Sequence, residues 1–176
     1  MKHTNETNAL TLFAQPYDIT AAGFYFESFD DYIEKTNKLR NSSGQPVEEF
    51  EIQFIDGESI DCDLFNALEI HQRDIEAYFE ACDNWADDEK IKVIIAVGEC
   101  GYDFSLENDN PDQFDVELYE CDSLKDLAEQ FVEEGIYGKI PQNIRYYLDT
   151  ELMARDLGMD YSEIEINNTK YVYRCG

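Results

Sequence analysis

The feature that most constrains this chain is a formal charge of −27 carried on 176 residues of which 43% are hydrophobic. Forty Asp and Glu stand against 13 Lys and Arg. High net charge alone favours an unfolded chain, because like charges repel and little apolar surface remains to bury. Here 12 Tyr, 11 Phe and one Trp supply large apolar groups, so a core can form. The charge therefore belongs to the surface of a folded protein. It argues against direct nucleic-acid binding, which needs a basic footprint, and against docking on an anionic membrane. A partner, if there is one, should be basic.

The length permits one domain or a few small ones. No apolar run approaches the roughly 20 residues of a membrane span. The amino-terminal MKHTNETNAL lacks the apolar stretch and cleavage site of a signal peptide, so a cytoplasmic location is expected. Cys62, Cys82, Cys100, Cys121 and Cys175 are odd in number, widely spaced and free of any C-x-x-C pair. They are expected as reduced thiols, several of them core fillers.

Periodicity predicts an α+β chain. Leu10 to Gln15 and Gly23 to Phe26 suggest two strands around the turn-prone Pro16-Tyr17-Asp18, and Ser28 is a plausible N-cap for a helix with Phe29, Tyr32 and Ile33 as its buried stripe. Residues 41–46 form a loop, and Phe50, Ile52 and Phe54 alternate as a strand. Asp61 or Asp63 could cap a helix carrying Leu64, Phe65 and Leu68, and Ile75, Tyr78, Phe79 and Cys82 follow at helical spacing. Ile91 to Val97 suits either strand or helix. Phe114, Val116 and Leu118 alternate as a strand. Ser123 then caps a helix with Leu124, Leu127, Ala128, Phe131 and Val132 on its apolar face, ended by Gly135. One helix is expected from just after Pro141 to about Leu157. Asn167-Asn168 separates two strands of a terminal hairpin.

No catalytic constellation stands out. Carboxylates this numerous supply acid/base pairs by chance, and Cys100 with His71 is better read as an incidental thiol than as a nucleophile and base. The run from Asp103 to Asp115 lacks a calcium-loop frame, and no phosphate-binding glycine motif is present, so no metal, cofactor or catalytic residue is expected.

The stretches LTLFAQPYDITAAGFYF, PVEEFEIQFIDG, VIIAVGECGYDF, FDVELYECDSLKDLAEQFVEEG and IPQNIRYYLDTELMARDLGMDY, in this order, resemble the ArdA antirestriction family. The resemblance spans Ala9 to Arg174. It implies an elongated, curved molecule of three small domains, set here at residues 1–60 (sheet plus helix), 61–108 (mainly helical) and 109–176 (α+β). It implies dimerisation through the carboxyl-terminal part, and helix for Ile91 to Val97. It also implies that surface carboxylates imitate the phosphates of bent B-form DNA, with the methyltransferase core of type I restriction-modification enzymes as partner and no enzymatic activity.

The charge is consistent with such imitation. Duplex DNA carries about one charge per 1.7 Å, so 27 charges correspond to about 46 Å of helix. Divided at residues 60 and 108, the three parts carry −7, −10 and −10, so none is neutral. Between Arg40 and Arg73 no Lys or Arg interrupts Glu48, Glu49, Glu51, Asp56, Glu58, Asp61, Asp63 and Glu69. Between Lys92 and Lys125 the same holds for Glu99, Asp103, Glu107, Asp109, Asp112, Asp115, Glu117, Glu120 and Asp122. With Asp126, Glu129 and Glu133 on the following helix, these are the candidate phosphate-mimicking groups. Ordinary surfaces intersperse both signs, so long cation-free windows tolerate self-repulsion that folding alone would avoid. The alternative is an acidic adaptor that binds a basic partner without imitating DNA.

Overall fold

The computed structural model describes residues 9–176, so the signal-peptide reading of the first residues lies largely outside them. The chain divides into two compact units, one ending at Gln113 and the other beginning at Phe114. The architecture is α+β.

In the first unit β1 (Thr11–Pro16), β2 (Phe24–Phe26) and β3 (Phe50–Asp56) form an antiparallel sheet in the order β2-β1-β3. Alternation puts Leu12, Ala14, Phe26, Phe50 and Ile52 on the buried face. Helix α1 (Phe29–Lys38) starts where the Ser28 side chain accepts the Asp31 N–H, and Tyr32 buries its ring against Phe26. Ile33, expected in the buried stripe, is instead exposed, because one aromatic ring already fills the space under a short helix. The chain approaches itself closely at Gly23, where a Cβ would lie 2.4 Å from the Phe13 ring.

Three helices follow, α2 (Ser59–Leu68), α3 (Ile75–Asn84) and α4 (Asp87–Val93), the last running on into a π-helical turn at Ile94–Glu99. Helix α2 begins earlier than expected, with Glu58 at its N-cap and neither Asp61 nor Asp63 capping it. The ambiguous Ile91 to Val97 stretch is helical. Val93, Ile94, Ile95 and Ala96 are consecutively buried, and that continuous apolar run is what a strand and a fully enclosed helix have in common. Ring contacts of Phe26 with Phe79 and of Phe54 with Phe65 tie sheet and helices into one core.

In the second unit β4 (Val116–Glu120), β5 (Ser162–Ile166) and β6 (Thr169–Cys175) form an antiparallel sheet in the order β4-β6-β5. Helix α5 (Leu124–Glu134) is capped by Ser123 and stopped by Gly135 at φ 78°, a left-handed conformation that glycine adopts without strain. It packs Leu127 and Phe131 with Tyr161 and Val172 as the core. The single helix expected over residues 142–157 is broken into α6 (Gln142–Arg145) and α7 (Thr150–Leu157). Asp149 causes the break by accepting the Leu152 N–H, which starts a new helix at that point. Asn167 and Asn168, at φ 50° and 60°, make the two-residue turn between β5 and β6. Among the described residues no helix is long and apolar enough to cross a membrane.

Candidate partner-binding surface

Most of the candidate carboxylates sit where local structure turns them to solvent. Glu48 and Glu49 precede β3, Asp56 and Glu58 flank the turn into α2, and Glu69 ends that helix in a left-handed conformation at φ 49°. Glu99, Asp103 and Glu107 belong to the π turn and the loop after it. Asp115 precedes β4, Glu120 ends it and Asp122 follows it, and Asp126, Glu129 and Glu133 share the outer face of α5 at helical spacing. Of the 20 candidates, 16 are exposed, Asp63, Asp109 and Glu117 are half-buried, and Asp61 is buried.

Asp61 is therefore a core residue and presents no charge to a partner. Its Oδ1 lies 2.7 Å from the Nζ of Lys90, which is only 3% exposed and also donates to the Cys82 carbonyl at 2.9 Å. The Tyr78 hydroxyl donates to the Asp61 carbonyl at 2.8 Å. Neither ion could be buried alone, and together with these hydrogen bonds they satisfy each other. Burial beside Asp61 pushes the Cys82 thiol up to about 12, so it stays protonated.

Glu117 is also engaged in structure. It faces Arg174 across the β4–β6 ladder, pairs with that guanidinium, and accepts the Tyr161 hydroxyl at 2.9 Å. The guanidinium lies 5.2 Å from the Tyr161 ring centroid. Burial, followed by the hydrogen bond to Glu117, pushes the Tyr161 phenol up to about 12. Asp109 accepts the Ser105 N–H at 2.8 Å and shapes its loop, and Asp112 holds Lys92 at 2.8 Å.

The cations complete the electrostatics. Residues 48–134 contain 28 carboxylates and four basic side chains, a charge of −24 out of −27. All four are ion-paired: Arg73 with Asp74 at 3.4 Å, Lys90 with Asp61, Lys92 with Asp112, and Lys125 with Glu151 at 2.7 Å. Residues 1–47 carry −2 and residues 135–176 carry −1. The even distribution obtained by cutting at 60 and 108 thus conceals a strong concentration. Twelve large hydrophobic side chains of the described residues are exposed, and all but Ile55 lie outside residues 48–134. Their solvent exposure is the part of this pattern that sequence could not give.

Among the described residues no three His, Cys, Asp or Glu side chains converge on a metal-sized site. Cys62, Cys82 and Cys121 are free thiols. Cys100 is disulfide-bonded, which corrects the expectation of five reduced thiols and leaves no Cys100 thiolate for nucleophilic chemistry.

A search of curated proteins finds no match. The family model described as antirestriction protein (ArdA) matches residues 4–172, nearly the whole length, and the chain therefore belongs to the ArdA antirestriction family.

Proposed function

We propose that this antirestriction protein acts as a DNA mimic, occupying the DNA-binding groove in the methyltransferase core of type I restriction-modification enzymes. The observation that carries the reading is the pairing of every cation within residues 48–134 beside a large excess of exposed carboxylates. A basic groove meets negative charge there without an opposing free cation. At one charge per about 1.7 Å, 24 charges match about 40 Å of duplex. In this proposal the protein works in the cytoplasm by occupancy, without catalysis or cofactor. It is a homodimer of three-part chains, with the nearly neutral residues 135–176 supplying the contact between copies. Seven exposed large hydrophobics in that part, among them Tyr146 and Tyr147, support this role.

Competition tests the proposal. The purified protein is titrated into a type I methyltransferase holding labelled target duplex at low salt, and displacement of the DNA is expected. Binding to the enzyme while the duplex stays in place would instead indicate an acidic adaptor.

A further inference from the structure

We infer that only residues 48–134 enter the partner's basic groove, and that both flanks remain outside it. The inference rests on the DNA-mimic reading and gives it a footprint. Three independent features change at the same boundaries. The charge falls from −24 to −2 on one side and −1 on the other. Every cation inside is ion-paired, whereas Arg40, Lys139, Arg145, Arg155 and Lys170, which take part in none of the ion pairs of the described residues, all lie in the flanks. Exposed large hydrophobics show the same division, reaching 88% exposure at Tyr146 and 96% at Ile19.

Each change has the same physical consequence. A guanidinium or ammonium without a carboxylate partner, pressed into a groove lined by Lys and Arg, loses hydration and meets like charge. An exposed isoleucine or tyrosine there displaces water from cationic groups and offers them no counter-charge in return. A surface built to be bound by such a groove excludes both, as residues 48–134 do with the single exception of Ile55. The flanks carry both.

Two charge-neutralised forms of the full chain test the footprint. One carries Glu58→Gln, Glu76→Gln, Glu107→Gln and Glu120→Gln, and the other Glu27→Gln, Asp156→Asn, Asp160→Asn and Glu165→Gln; all eight side chains are exposed. Both are titrated against a type I methyltransferase on labelled duplex over a salt series. The first is expected to raise the half-displacing concentration by at least about fourfold, from four contacts of ordinary exposed strength, and to flatten the salt dependence. The second should change it by less than about twofold, with the salt slope intact. Equal losses, or a larger loss in the flank form, would overturn the footprint and leave mimicry standing. Failure of the unmodified protein to displace DNA would overturn both. Should the first form fold poorly, adding cations at exposed amides reports the same division: Asn66→Lys with Gln113→Lys should impair displacement, and Gln142→Lys with Asn143→Lys should not.

Discussion

Lys90 of α4 reaches Asp61 of α2 across 2.7 Å inside the first unit, and the two side chains are the buried charged groups of the described core. Removing one partner leaves the other charge uncompensated in a low-dielectric site. Lys90→Met is therefore expected to destabilise by about 3–5 kcal/mol. The double change Asp61→Leu with Lys90→Met should recover much of that loss, since neither charge then remains buried. Urea unfolding of the three proteins checks this. Displacement of DNA by the double variant should match the unmodified protein, because Asp61 contributes no surface charge.

The Ser123 cap gives a second expectation. Its hydroxyl accepts the Asp126 N–H and donates to the Asp126 carboxylate, joining the start of α5 to a charged side chain. Ser123→Ala should lower stability by about 1 kcal/mol, and Ser123→Thr, which keeps the hydroxyl, should restore most of it. A denaturant midpoint unchanged by the alanine would contradict this role for the cap.

The Tyr161 phenol predicts a dependence on alkaline pH. Its proton is held up to about 12 in the folded protein, against an ordinary value of 10.0. A group whose folded value is raised contributes stability that is fully present below about pH 10 and lost as pH rises through about 12. The stability advantage over Tyr161→Phe should therefore shrink across that interval. Unfolding free energies of both proteins at pH 9, 10 and 11 measure it, and a constant difference would contradict the raised folded value, which burial and the hydrogen bond to Glu117 produce.

Salt separates the mimic from the molecule it replaces. DNA releases condensed cations on binding, with a slope of about −0.9 in log K against log salt for each neutralised phosphate. Carboxylates on a folded protein are less densely spaced and condense fewer cations. Affinity for the methyltransferase should fall between about 50 and 200 mM salt, but less steeply than that of duplex DNA. A steeper slope than DNA's would contradict the expectation, and a flat one would remove the electrostatic basis of mimicry.

Much of the fold was legible because its signals are local. Ser28 and Ser123 cap the helices expected of them, Gly135 stops α5, and Asn167-Asn168 turns the last hairpin. The break between α6 and α7 was missed because an internal Asp149 can either ride along a helix or start another, and periodicity does not choose. The candidate site was legible as a charge excess but not as a set of working groups. Asp61 resembles its acidic neighbours in sequence and differs only through Lys90, 29 residues away. Glu117 is likewise set apart by Tyr161 and Arg174, 44 and 57 residues away. Such separations are invisible to windows that count charge, and so is the disulfide bonding of Cys100.

The order of strands in the second sheet has a consequence for synthesis. Strand β6 lies between β4 and β5 but follows both in the chain, so two edge strands are made before the strand that joins them. The β5–β6 hairpin can close within microseconds of β6 appearing, through a turn of only two residues. Strand β4 must wait about 50 residues for its partner, with its backbone donors and acceptors unmatched in the interval. Unmatched strands invite pairing with other nascent chains. Glu117 and Glu120 on β4, and Glu163 and Glu165 on β5, place like charge along both waiting strands, so newly made copies repel one another until β6 arrives.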